Sequence, residues 1–148
     1  MHQFARYVVV LSPLVCGAPV FGQAAEAKVL RDLDGAGRTT LTREELVQLL
    51  PGANMSRISA KGNTHIWKND SGGTFIISSD NRDRGAVAST ASGKWSISDD
   101  GRYCVLIEWK VVETEEWCRY IVRSGEDYYA TKSDKTGTER IHKLSIKK

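Results

Sequence analysis

From position 53 onward the chain offers no stretch long enough, or periodic enough at helical spacing, to make a helix. It offers short runs of β-branched and aromatic residues instead, at 64–68, 74–79, 93–98, 102–110, 116–123, 127–132 and 139–146. Between them stand clusters of turn formers such as Asn69-Asp70-Ser71-Gly72-Gly73, Asp99-Asp100-Gly101 and Ser124-Gly125-Glu126. Runs of this length broken by turn chemistry read as strands joined by tight connections. With no helix between consecutive runs, parallel pairing is disfavoured. The expected fold is therefore mainly β: an antiparallel barrel or sandwich of roughly seven to eight strands with one short N-terminal helix.

The helix is placed by its cap. Thr42 followed three positions later by Glu45 is a capping box, and Leu46, Val47, Leu49 and Leu50 supply an apolar stripe before Pro51-Gly52 ends the segment. Ahead of it, 28–41 is polar and rich in turn residues and reads as a flexible lead-in. The domain organisation expected is then a signal peptide over 1–27, this lead-in, and a single β-rich domain over 42–148.

The signal-peptide reading follows from order and length. One positive charge in 1–6 precedes an apolar run over 7–15, and small residues follow in Gly22-Gln23-Ala24 and Ala25-Glu26-Ala27, so that cleavage after Ala24 or Ala27 fits. The apolar run is shorter than the roughly 20 residues that cross a bilayer. The expected product has no transmembrane segment and is periplasmic or secreted. Cys16 lacks the small residue before it that lipid attachment requires, since Val15 stands there. Trimming 1–27 removes one basic and one acidic residue, Arg6 and Glu26, and leaves the net charge at +3. The remaining charges are mixed in sign along the chain, which is a solvated surface and gives no footprint for nucleic acid.

Cys104 and Cys118 then remain as a pair in an oxidising compartment, which points to a disulfide. Along 103–109 the residues Tyr103, Val105, Ile107 and Trp109 share the face to be buried, and Cys104 lies on the other with Leu106. Pairing Cys104 opposite Cys118 centres the connection on Val111, a poor turn residue, so a longer irregular loop or a diagonal pairing stays open.

Several motifs have both a functional and a structural reading. Asp32-Leu33-Asp34-Gly35-Ala36-Gly37-Arg38 has the outline of a calcium loop, but Ala36 and Arg43 occupy places that need oxygen ligands, and neither a metal nor another cofactor is expected. Gly93-Lys94-Trp95 matches the signal that opens the first strand of lipocalins; it reads equally as a turn glycine before a core tryptophan. Ser124-Gly125, Tyr128 and the Thr131-Lys132 pair resemble the loops that periplasmic inhibitors of c-type lysozyme insert into their target, although Ser133 stands where those inhibitors have glycine. This inhibitor reading, with Ser124, Gly125, Tyr128 and Lys132 as its residues, is the alternative function. A Ser-Gly hairpin turn accounts for the same residues. No Ser-His-Asp pattern or free thiol marks an enzyme, and His65 and His142 stand without a nucleophile motif.

The ordered set Leu41 to Leu46, Gly62-Asn63-Thr64, Gly73-Thr74-Phe75, Gly93-Lys94-Trp95, Tyr103-Cys104-Val105, Trp117-Cys118 and Tyr128-Tyr129 resembles an uncharacterised family of small exported bacterial proteins, a domain of unknown function. The resemblance implies an envelope or secreted location, a short helix before an antiparallel β domain, and a cysteine pair in the central strands. It implies no activity. The expected role is a binding or interaction module for an unknown envelope ligand or protein, with Trp67, Trp95, Tyr128 and Tyr129 as candidate ligand-binding aromatics.

Overall fold

Period-two alternation decides how these strands are used. In Thr64–Lys68 and Thr74–Ser79 every second side chain is buried, His65 and Trp67 in one and Phe75, Ile77 and Ser79 in the other. Each such strand turns one face to an interior and the other to water. The computed structural model describes residues 26–148. The expected signal peptide, with Cys16 and the Ala24 cleavage site, lies outside the described residues except for its last two positions.

The strands are β1 (Arg38–Thr40), β2 (Asn54–Ile58), β3 (Thr64–Lys68), β4 (Thr74–Ser79), β5 (Ser89–Ile97), β6 (Tyr103–Glu108), β7 (Glu115–Ser124), β8 (Asp127–Thr131) and β9 (Ile141–Lys147), with one α-helix, α1 (Arg43–Leu49), between β1 and β2. From β2 to β9 each strand runs antiparallel to the next, and β9 returns to β2 with Met55 opposite Ile146. The choice between barrel and sandwich is thereby settled: this is a closed, up-and-down antiparallel barrel of eight strands, with β1 added alongside β7. Closure leaves these eight strands no free edge for another chain to pair with.

The meander gives the barrel two ends of different character. The connections β3–β4, β5–β6 and β7–β8 gather at one end, and α1 lies over them. Its capping box is formed, Glu45 N–H donating to Thr42 Oγ1 at 3.2 Å and Thr42 N–H to Glu45 Oε2 at 2.8 Å. Leu46 and Leu50 are fully buried, a contribution of about 1.5–3 kcal/mol each. Beneath them Trp67 Nε1–H donates to Asn69 Oδ1 at 3.1 Å and lies 3.2 Å from the Tyr103 hydroxyl, which donates to Asn69 Oδ1 at 2.9 Å. Asn69 Nδ2–H donates in turn to Leu50 O at 3.3 Å. Burial pushes the Tyr103 hydroxyl up to about 12. This end is filled, and the buried polar atoms of Trp67, Asn69 and Tyr103 are answered by one another and by the backbone.

Two expectations are corrected here. The lead-in 28–41 is built as structure: a short 3-10 helix, Leu30–Ala36, packs Leu30 and Leu33 against Val122, Tyr129 and Ile141 on the outside of the barrel, and β1 follows it. The apolar pair, three apart, finds an external hydrophobic site that composition alone does not reveal. Gly93 is not a turn residue but lies inside β5, and a side-chain carbon there would stand 2.1 Å from the Phe75 ring. Its missing side chain is the room that Phe75 occupies.

The disulfide is formed between Cys104 and Cys118, which stand opposite each other in β6 and β7 with Cα atoms 4.0 Å apart. Tyr103, Val105 and Ile107 point inward as expected, so the bridge lies on the outer wall. The connection it encloses is the longer irregular loop, 109–114.

Candidate functional site

At the other end the connections β2–β3, β4–β5 and β6–β7, with strand residues of β8 and β9, surround a hollow of about 790 Å³ that is open to solvent. The strands project side chains into it by the same alternation that packs the closed end. In β2 the inward positions are Met55, below, and Arg57, above; in β3 they are Trp67 and His65; in β7 they are Ile121, then Arg119, Trp117 and Glu115 toward the rim. Each of these strands is apolar inward where the barrel is filled and polar inward where it is open.

The centre of the site is an ion pair across the lumen. Arg57 Nη2 on β2 binds Glu115 Oε1 on β7, two strands that do not pair with each other. Glu115 also accepts from Trp117 Nε1–H at 3.1 Å. Burial works to raise this carboxyl, but the Arg57 charge and the two hydrogen bonds prevail and hold it below the ordinary glutamate range. Arg57 Nη2 is also 3.4 Å from His65 Nδ1. A guanidinium only donates, so Nδ1 accepts and the His65 proton is assigned to Nε2. Burial first, and the Arg57 charge second, keep His65 below the usual imidazole value. Its ring lies 5.3 Å from that of Trp109. The Arg57 Nε is buried without a protein partner.

Trp117 is flanked by two cations: the Arg57 guanidinium carbon lies 5.3 Å from its ring centre and that of Arg119 lies 6.0 Å away. Arg119 donates one bond, from Nη1 to Cys118 O at 2.9 Å. Among the described residues it has no carboxylate in ion-pair contact. His142, at the mouth on β9, is held below its ordinary value by burial and by Arg119, Arg57, Arg140 and Lys132 around it. The site thus presents an ion-paired Arg57, an Arg119 that Glu139 reaches only from beyond ion-pair distance, two imidazoles held below their ordinary value, and two indoles.

The residues singled out from sequence lie elsewhere. Trp67 belongs to the filled end. Trp95 packs against the main core and donates its indole N–H to Asp70 O at 2.8 Å, also at that end. Tyr128 packs against the main core and Tyr129 in the external cluster under Leu30, and none of the four lines the hollow. Ser124 and Gly125 form the β7–β8 turn at the filled end, while Lys132 follows β8 at the open end, so the structure separates the two halves of the inhibitor motif by the length of β8. Asp32 accepts from the backbone N–H groups of Lys28 and Val29, at 2.9 and 3.0 Å, and Asp34 pairs with Arg38 at 2.9 Å. The carboxylates of the calcium-like stretch are engaged as a cap and an ion pair. Among the described residues no group of three or more His, Cys, Asp or Glu converges as metal ligands, and no helix is long and apolar enough to cross a membrane.

Sequence reasoning missed Arg57, Glu115 and Arg119 as site residues, although a signal for the last two was present. Once Cys104 is set opposite Cys118 with both facing outward, Glu115, Trp117 and Arg119 must face inward. Two charges on the inward side of a barrel strand are what a functional interior would show.

A family described as a protein of unknown function, DUF995, matches residues 21–133, from before the external helix to just beyond β8. The chain belongs to the DUF995 family. The match carries the Arg57, His65, Glu115 and Arg119 positions, whereas His142 lies past its end. No curated protein and no solved structure matches the chain.

Proposed function

We propose that this DUF995 protein is an exported, non-catalytic binding module that takes a small molecule into the open end of its barrel. The observation that carries the reading is the asymmetry of the interior. One end is filled, with the buried polar groups of Trp67, Asn69 and Tyr103 hydrogen-bonded, while the other keeps a hollow of about 790 Å³ walled by Trp109 and Trp117 and by charged groups. Ligand sites in small proteins fall within about 300–1,000 Å³ and combine apolar walls with a few placed polar groups. The disulfide supports an exported location, since such bridges persist in oxidising compartments.

The test uses a neutral naphthylamine dye whose emission rises in an apolar site. The expected result is a saturable, one-site increase that is lost in Ala130→Trp, where the added ring fills the hollow from β8. A signal that does not saturate, or one unchanged in Ala130→Trp, would overturn the reading.

A further inference from the structure

We propose that the hollow selects an amphiphilic anion: an oxyanion head held by Arg119 beside His142, on an apolar body received by Trp109 and the loop residues Val111 and Val112. This rests on the ligand-binding reading above and names the chemical class of the ligand. Arg57 and Glu115 neutralise each other within the lumen. Arg119 is half-buried against Trp117, spends one donor on Cys118 O, and among the described residues has no carboxylate in ion-pair contact, Glu139 acting on it only from longer range. A partly desolvated guanidinium with free donors is an incomplete pair, and a planar oxyanion completes it through two parallel hydrogen bonds.

His142 strengthens the choice of sign. The charged groups that act on it are Arg119 on β7, Arg57 on β2, and Arg140 and Lys132 in the β8–β9 connection, all of them cationic. A cationic ligand would meet repulsion from each. An anion meets attraction from each and an imidazole N–H to accept from.

The apolar part of the ligand is read from the rim. Val111 and Val112 in the 109–114 loop are 84% and 41% exposed, and they line the hollow with Trp109 below them. Adjacent valines left in water at the mouth of a cavity gain most by covering an apolar body within it. The disulfide Cys104–Cys118 anchors both strands that carry this loop.

The experiment is displacement of the bound naphthylamine dye by dodecanoate, dodecyl phosphate, dodecanol and dodecyltrimethylammonium, each below its micelle concentration, with calorimetry on the same four. The anions are expected to bind at least about tenfold more tightly than the alcohol, and the cation more weakly than the alcohol. Arg119→Gln should bring dodecanoate down to the affinity of dodecanol, Arg119→Lys should fall between, and Arg123→Gln on the same strand should change nothing. Whichever anion binds better identifies the head as carboxylate or phosphate. Equal affinity for alcohol and anion, or an anion preference unchanged in both Arg119 variants, overturns the inference while dye binding leaves the cavity reading intact. Should Arg119→Gln fail to fold, the Arg119→Lys comparison decides. Absence of saturable binding by the dye and by all four amphiphiles overturns both.

Discussion

The two ends of this barrel are made from the same strands and the same kinds of side chain, yet they have opposite logic. At the filled end Trp67, Asn69 and Tyr103 form a closed set of hydrogen bonds under α1. At the open end Trp117, Arg57 and Glu115 form a comparable set, but it stands beside a hollow and next to Arg119, which among the described residues has no carboxylate in ion-pair contact. The difference teaches where stability and function are divided in an up-and-down barrel: one half of each strand supplies the core, and the other half is released from packing.

The division is broken first by large-to-small substitution. Trp67→Ala should cost about 3–5 kcal/mol in denaturant unfolding, as full truncation of a core aromatic does. Trp117→Ala, which opens onto a hollow already present, should cost less than half as much. Equal losses would mean that the two ends share one core. Next in size is the disulfide. A bridge closing a 15-residue loop stabilises by about 3 kcal/mol in the chain-entropy account, and the two half-cystines are 14 apart. Reduction should therefore lower the melting temperature by several degrees, and hydrogen exchange should rise in 109–114 before it rises near Asn69.

A smaller effect is expected at the ion pair. Glu115→Gln leaves Arg57 without its counterion; since the two side chains are still 18% and 31% exposed, the cost should be about 1–3 kcal/mol, below that of a fully buried pair. The smallest is the response to acid. His65 is held below its ordinary value of 6.5 mainly by burial, so the unfolded chain takes up its proton first. Stability should be full above about pH 6.5 and decline below it. The depressed Glu115 carboxyl adds a further loss as pH falls below its ordinary value of 4.5. His65→Gln should reduce the first part of the curve, leaving the share that the likewise depressed His142 supplies, and should leave the second, while Tyr103→Phe at the filled end should alter neither.

The fold was largely legible because its signals are local. The bounds of β3 and β4 follow from alternation and flanking turn residues, and the cap of α1 from Thr42 and Glu45. The outward placement of Cys104 followed from the buried face of β6, whereas its register against Cys118 stood beside a diagonal pairing until the structure set the two directly opposite. β2 was not assigned as a strand, since the inward Arg57 and the outward Ile58 break the apolar alternation that marks one. The same substitution of charge for hydrophobe that hides β2 also creates the site. The candidate site was largely illegible because it is assembled across the barrel: Arg57 and Glu115 are 58 positions apart and meet only on closure. The aromatics chosen by composition, Trp67 and Trp95, have strand settings much like those of Trp109 and Trp117. What separates them is the end of the barrel they occupy, and that depends on topology rather than on spacing.

The chain has four tryptophans, two at each end of the barrel, and their indole N–H resonances report on the two ends separately. In a nitrogen-edited spectrum recorded during titration with dodecanoate, the signals of Trp109 and Trp117 should move to saturation while those of Trp67 and Trp95 stay in place. Movement of the Trp67 and Trp95 signals instead, or of none of the four, would contradict the division between a packed end and a receiving one.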